Sequence, residues 1–449
     1  MKTLFGHPRG LAVLFGTEMW ERLSYYGMRA LLVGYLTKYL LLDGHVKGVL
    51  FYAPVKAAFE ALVGPLSPQP FASLIYGTYT GLIYATPLLG GWLADRWFGQ
   101  RRVAIAGMLL MAAGHFMMAS EALLFPALTL LIFGGGFFKT NTSSQVGLLY
   151  KAGDPARDSG YAIFYVGVNV GGFLGPLICG GLGEMVGWHY GFAAAGFGLL
   201  LALAVYFAGW RHLPPDGGQT EAAVPRQGLS RDEWKSITAL LLLLAPLTLY
   251  WACNEQWGNT VTLWSIDNTD RSIALFGWHG EIPWTWFQSL NPLVIFFGTP
   301  LLLSLWKRQG ARQPGTARKM LIGCLLMSAA NLLMVLPALS IEGGAAGRAS
   351  WLWLLGYYVV MTVGEIHLYP VGLSLFSKAA PVRMASLMMG FYFVPNFLGG
   401  GFLQGWLGTF WEKMDKALFF VMIAGVAALA ALIIWLLERP LRPLLKEAA

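Results

Sequence analysis

Long apolar runs, each interrupted by only a few polar residues, recur from one end of the chain to the other. A membrane-spanning helix needs ~20 mostly apolar residues. On that measure the pattern predicts twelve spans, near 10–37, 71–94, 103–120, 126–149, 160–183, 190–210, 236–264, 286–306, 319–338, 351–375, 385–408 and 417–437. Strands of a membrane barrel would alternate polar and apolar residues, and these runs do not. Helices are therefore expected, since they satisfy their own backbone polar groups in lipid. Two polar interruptions are longer than the rest. The stretch 211–235 is rich in Pro and Gly and too short for further spans. It predicts a cytoplasmic linker between two six-helix bundles, 1–210 and 236–449, the second ending in a short cytoplasmic tail. The stretch 38–70 is half apolar and suggests an external amphipathic helix.

Composition agrees with lipid as the solvent. Of 449 residues, 56% are hydrophobic and 12% charged, and the mean hydropathy is +0.56. The net charge of +8 would suit a nucleic-acid partner if the basic residues clustered, but they lie in short loops between apolar runs. Their placement sets the topology instead. Of 31 Lys and Arg, Arg22, Arg29 and Lys139 fall inside predicted spans. Only Lys38, Lys47, Lys56, Arg271, Arg348, Lys413 and Lys416 fall on one side, and the remainder fall on the other. Both termini are thus expected to be cytoplasmic, in a cell membrane of the bacterial inner-membrane kind, with the first span directing insertion in place of a cleavable signal. Cys179, Cys253 and Cys324 are widely spaced in apolar runs and suit neither a disulfide framework nor a zinc site. No cofactor and no metal is expected, and the chain is expected to act as a monomer in the bilayer.

The first span breaks its own apolar pattern with L-F-G-T-E-M-W-E-R-L-S-Y-Y-G-M-R. At ~100° per residue, Glu18, Glu21, Arg22, Tyr25 and Arg29 fall on one stripe, with Tyr26 at its edge. An ionised side chain at a helix centre costs ~2.5–3.5 kcal/mol on insertion scales. Four such residues cost on the order of 10 kcal/mol, so the stripe must face partner charges or a wet cavity. Lys139, in the fourth span, adds a cation that needs an acid. Glu18, Glu21, Glu255 in the seventh span and Glu365 in the tenth are the candidates. Such a set can carry protons and bind both ends of a zwitterion. It could equally lock helices together as structural salt bridges.

Other signals are weaker. His115 and His367 suit packed, satisfied histidines as well as proton relays. Asn169, Asn291 and Asn396 suit helix–helix hydrogen bonding as well as ligand contact. G-G-G-F-F-K-T resembles a phosphate loop but lacks Gly before Lys139 and lies inside a span. Neither H-E-x-x-H nor G-x-S-x-G occurs, so a membrane hydrolase finds no support and no enzyme is expected. The fifth and eleventh spans share a pattern: F-Y-V-G-V-N-V-G-G-F-L from Phe164 to Leu174, and F-Y-F-V-P-N-F-L-G-G-G-F-L from Phe391 to Leu403. In each, Asn follows Tyr by four residues, Tyr165 to Asn169 and Tyr392 to Asn396, as a parallel six-helix repeat would produce.

The motif E-x-x-E-R-x-x-Y-Y-G in the first span resembles the signature of the proton-dependent oligopeptide transporter family. G-G-W-L-A-D-R-W-F-G-Q-R-R (Gly90 to Arg102) is similar to the facilitator loop between the second and third spans. F-F-K-T-N, I-F-Y-V-G-V-N-V-G-G, F-Q-S-L-N-P (Phe287 to Pro292) and G-E-I-H-L-Y-P-V-G-L-S resemble the family's segments in spans four, five, eight and ten. The resemblance runs from residue 18 to about 375. It implies an all-α major facilitator fold that imports di- and tripeptides with protons by alternating access.

The resemblance also implies roles. Glu18, Glu21 and Arg22, with Glu365, would couple protons. Arg22, Lys139 and Arg29 would receive a peptide carboxylate, and Glu365 its amino end, helped by Asn169 and Asn291. Tyr25, Tyr26, Tyr84 and Tyr392 would line the pocket. Arg29 with Glu255, and Lys139 with Glu365, would be gating salt bridges. The chain departs from the family in its short linker, in Tyr369 where the tenth-span motif has Ser, and in Tyr392 where a pocket Trp is usual. The rival readings are the same fold carrying a drug, nitrate or amino acid, and a membrane receptor that transports nothing.

Overall fold

The computed structural model describes the whole chain except residues 1–2, 5, 43, 152–153, 217–229, 276–277, 345–346, 382–383 and 442–449. Most of the predicted linker and tail therefore lies outside the described residues. Every apolar run forms a helix. The first is Arg9–Tyr35, continued by a π-helical turn Leu36–Leu40, and the second Pro68–Leu93, continued by another at Ala94–Phe98. Gln100–Met117, Leu124–Leu148, Ala156–Gly175 with its continuation to Met185, and Trp188–Ala208 follow. After the linker come Arg231–Asn254 with its extension to Asp267, Leu290–Gln309, Thr316–Glu342, Leu352–Ala379, the broken run Ala385–Gly408 and Lys416–Leu441. These are the twelve spans. Eight are long and apolar enough to qualify by composition alone. The first span does not, because of its acidic and basic residues.

The chain packs into two compact units. One comprises 1–72, 82–222 and 282–293; the other comprises 73–81, 223–281 and 294–449. In the first unit, span 1 lies against spans 5 and 6, and span 3 against span 4. Glycine makes these approaches possible. A Cβ on Gly175 would sit 2.5 Å from the Leu23 carbonyl, and one on Gly171 would meet Arg22 Cβ at 2.7 Å. Gly167, Gly171 and Gly175 thus form a smooth seam, one turn apart, along which span 1 lies. Arg101, in the first turn of span 3, ties that end of the helix to the chain after span 6. Its Nε donates to the Pro214 carbonyl at 2.6 Å and its backbone N–H to Asp216 at 2.8 Å. Its guanidinium stacks on Trp210 at 4.6 Å.

In the second unit, span 9 packs on spans 10 and 12, and span 7 on span 12. Span 7 starts at a capping box, foreshadowed by S-R-D-E at 230–233: Ser230 accepts from the Glu233 N–H at 3.2 Å, and Glu233 accepts from the Ser230 N–H at 2.7 Å. The helix breaks into a 3-10 turn at Glu255–Gly258. Around that break lies a buried neutral network. Ser73 donates to Asn259 at 2.9 Å, Asn259 to Gln404 at 3.1 Å, Gln256 to the Gln404 carbonyl at 3.0 Å and Thr260 to Gln256 at 2.8 Å. Two short strands, Ser272–Leu275 and Trp278–Glu281, pair antiparallel between spans 7 and 8. The half-apolar stretch after span 1 holds the helix Tyr52–Val63.

A side chain on Gly171 has no room, because its neighbours are span 1 backbone and Arg22. Gly171→Ala should therefore lower the thermal unfolding midpoint of the detergent-purified protein, with an overpacking cost of ~1–3 kcal/mol. Gly425, in span 12, has nothing within 4 Å. Gly425→Ala should leave the midpoint unchanged or raise it, since Ala is favoured over Gly by up to ~1 kcal/mol in a helix interior. Equal midpoints for the two variants would contradict the seam.

Candidate functional site

In the first unit, spans 1, 4 and 5 bring together most of the residues singled out in the N-terminal half. Helical periodicity puts Glu18, Glu21, Arg22, Tyr25 and Arg29 on one face of span 1, and all five are buried. Arg22 is the centre of the group. Its Nη2 donates to Glu21 Oε1 at 2.7 Å, its Nε bonds Glu21 Oε2, and the same Nε lies 3.2 Å from Glu18 Oε1. One guanidinium thus faces two carboxylates one turn apart, and the group carries a net negative charge before other cations are counted. Lys139 acts electrostatically on both carboxylates. The second oxygen of Glu18 is reached by the Thr142 hydroxyl at 3.2 Å, which is shared with the Phe138 carbonyl at 3.1 Å.

Aromatic rings complete the surroundings. The Arg22 guanidinium lies 5.0 Å from the Tyr25 ring centroid, and the Tyr25 and Tyr26 rings meet edge-on at 5.0 Å. Lys139 Nζ stands 4.6 Å over the Tyr84 ring. A cation held over a ring face is attracted by the ring quadrupole, so Tyr84 orients the lysine without neutralising it. Tyr26 also lies beside Gly172, against which Pro292 packs, so Asn291 is one residue from that contact. The start of span 8 is held there by Ser289, which donates to the Phe173 carbonyl at 2.7 Å, and by Gln288, whose amide reaches the Ala30 carbonyl at 3.5 Å. The Asn169 amide donates to the Tyr165 carbonyl of its own helix at 2.9 Å.

The second unit holds Glu255 and, near each other, Glu365 and Tyr392. Glu255 opens the 3-10 break in span 7 and is buried, with its side chain against Gly400: a Cβ there would stand 3.0 Å from Glu255 Cγ. Tyr392 is fully buried and donates to the Tyr369 carbonyl at 2.7 Å. Its ring is 6.0 Å from that of Tyr369, which in turn meets Trp251 at 5.7 Å. Glu365 acts electrostatically on both Tyr250 and Tyr392. The two substituted positions, Tyr369 and Tyr392, are therefore neighbours and fill one place together. His367 bonds the Val363 carbonyl at 2.8 Å and packs against Trp306, as a satisfied structural histidine does. Among the described residues no group of His, Cys, Asp and Glu could hold a metal ion.

Thr142 was not picked out from the sequence. The signal is present in K-T-N-T, where Thr142 follows Lys139 by three residues and so shares its face of span 4. Threonine in a helix commonly returns its hydroxyl to the preceding turn, which hides a second role.

Comparison with known proteins places the chain among characterised relatives. The family model described as POT family matches residues 101–227 and 218–424. The di-/tripeptide transporter of Lactococcus lactis subsp. cremoris is 31% identical over 508 aligned positions, covering 99% of this chain and 98% of the relative. The peptide transporter YePEPT of Yersinia enterocolitica is 31% identical over 520 positions, covering 99% and 97%. Both alignments exceed the 449 residues of this chain, so these relatives carry segments it lacks. Among solved structures, a POT family transporter in complex with 5-aminolevulinic acid superposes with a TM-score of 0.82 at 27% identity, covering 99% of this chain and 98% of the other. A peptide transporter POT in complex with sulfate gives 0.82 at 29%, covering 99% and 97%.

If the Thr142 hydroxyl supports ionised Glu18, removing it leaves a buried oxygen short of a donor. Such a loss costs ~1–3 kcal/mol. Thr142→Val, which keeps the shape, should lower the unfolding midpoint in detergent, and Thr142→Ser should restore most of it. Equal stability of the Val and Ser variants would remove the hydroxyl from the account.

Proposed function

We propose that this chain, which belongs to the POT family, carries di- and tripeptides across the membrane together with protons. Its fold is the twelve-helix major facilitator fold, and its family is one of transporters rather than enzymes. The observation that carries the proposal is the buried Glu18–Glu21–Arg22 group with Lys139 acting on it. Two carboxylates share one guanidinium, so a proton can be taken up where charge is otherwise costly, and a second anion near Arg22 and Lys139 competes for the same cations. Proton occupancy and carboxylate binding are thereby linked.

The proposed roles follow from that linkage. Glu18, Glu21 and Arg22, with Glu365, couple the proton. Arg22, Lys139 and Arg29 receive the peptide carboxylate, and Glu365 the amino end. Tyr25, Tyr26, Tyr84, Asn169, Asn291 and Tyr392 shape the pocket. Arg29 with Glu255 and Lys139 with Glu365 act as gating pairs that form and break during the cycle. The protein works as a monomer in a bacterial inner membrane, with both termini, the linker and the tail cytoplasmic and the two bundles 1–210 and 236–449 as its moving parts. That relatives are named di-/tripeptide or peptide transporters supports the substrate class. The 5-aminolevulinic acid held by one structural relative keeps open a second substrate class, small solutes with one amino and one carboxyl end.

Reconstituted vesicles test the proposal. An inward proton gradient should drive labelled dipeptide above its external concentration, since one charge crossing 100 mV gains ~2.3 kcal/mol. A protonophore should abolish that accumulation, and N-acetylation should leave the dipeptide a poor competitor. Undiminished concentrative uptake with the protonophore present would defeat proton coupling, and equal competition by the capped peptide would defeat recognition of the amino end.

A further inference from the structure

We propose that a groove beside the short helix Tyr52–Val63 holds an acyl chain of a membrane phospholipid. The open groove offers about 770 Å³ of space, within the ~300–1,000 Å³ of sites for small molecules. One wall is Val55, Ala58 and Phe59 of the short helix, and the other is Met117, Phe125 and Leu130 at the adjoining ends of spans 3 and 4. Its single hydroxyl, on Thr129, already donates to the Phe125 carbonyl at 2.8 Å. Nothing in the lining offers a charge to a zwitterion, so the groove does not suit the transported solute.

The groove continues a surface that lipid must cover. This inference rests on the chain spanning a membrane, which the twelve helices and the family establish. Phe125, Thr129 and Phe133 lie four residues apart on span 4 and so form one stripe; Phe133 is exposed, as are Leu109 and Phe116 on span 3. That stripe leads from the lipid-facing side of the two helices into the groove. The short helix is largely apolar. Its two charged residues, Lys56 and Glu60, pair with each other at 3.7 Å. Aromatic contacts of Tyr52 and Phe59 with Phe71 pin one side of the helix to the start of span 2, at 5.7 and 6.0 Å. Toward the groove the helix presents the small residues Pro54 and Ala58 beside Val55 and Phe59, between two exposed apolar ends, Phe51 at 62% and Leu62 at 82% exposure. Phe51 takes a left-handed backbone, φ +63°, which is a genuine outlier for a bulky residue. Phe51 lines the groove. Small residues flanked by bulky apolar ends make a trough for a flexible chain.

Photolabelling tests the assignment. The full-length protein is reconstituted in phosphatidylethanolamine and phosphatidylglycerol vesicles containing a trace of phospholipid with a diazirine in its acyl chain. After irradiation, adducts are mapped by mass spectrometry. Peptides covering 51–62 and 117–130 should be labelled several-fold more than the exposed face of span 12 around Leu429, Leu432 and Leu436, which reports ordinary lipid contact. Ala58→Trp, which fills the trough, should reduce labelling of 117–130 several-fold and leave span 12 unchanged; Thr129→Trp is a second variant acting from the opposite wall. Labelling no greater than at span 12, or unchanged by both variants, would overturn the proposal. So would cross-linking of the groove to a second copy of the chain in place of lipid. Dipeptide uptake by the same vesicles is read separately, so failure of the transport proposal and failure of this one are distinguishable.

Discussion

Glu18, Glu21 and Arg22 are buried in a helix that spans a membrane, and they have to satisfy one another there. Removing one partner of a buried ion pair typically costs ~3–5 kcal/mol, because the other charge is left uncompensated. The short contacts of Arg22 with both acids meet that requirement for the guanidinium, and one acid remains in excess. Everything nearby is arranged around that excess. Thr142 supplies a donor, Lys139 supplies a second cation, and Tyr84 holds the lysine by its ring face. A group with one charge too many is also a group whose charge can be changed by a proton or by an arriving anion. Structure and mechanism therefore rest on the same imbalance.

The packing of the first unit is subordinate to that constraint. Span 1 cannot present its charged stripe to lipid, so its flanks must be covered closely. The glycine seam of span 5 lets backbone approach backbone at Leu23 and Arg22. The second unit satisfies the break in span 7 in part with neutral side chains. Where span 7 breaks, Gln256, Asn259 and Thr260 bond with Ser73, Gln404 and one another through neutral side chains and backbone. Glu255, proposed as a gating residue, is buried at the same break.

Much of this was legible in the sequence because membranes make charge conspicuous. Twelve apolar runs became twelve helices, since a backbone in lipid has few alternatives. Glu18, Glu21, Arg22 and Lys139 stood out as ionised residues where ionisation is expensive, and helical periodicity alone put the first three on one face. What was hidden is neutral or local. Thr142 looks like any threonine bonded to its own helix. The break at Glu255–Gly258 follows from side-chain partners contributed by residues far along the chain, which no local pattern records. The strand pair Ser272–Leu275 and Trp278–Glu281 is too short to outweigh its apolar surroundings. Tyr369 and Tyr392 read as two separate departures from the family motif, and only their contact shows that they share one place.

The central claim is that the span 1 acids take up the proton that accompanies the peptide. The most direct test records proton flux with a pH-sensitive dye and dipeptide flux with a label, in the same vesicles, for the wild-type protein and for Glu21→Gln. In the wild type, dipeptide added outside without an imposed gradient should carry protons inward in fixed ratio. In Glu21→Gln, net coupled entry of both should be lost while exchange of internal for external dipeptide continues. Proton entry that persists at the wild-type ratio in Glu21→Gln would contradict the account.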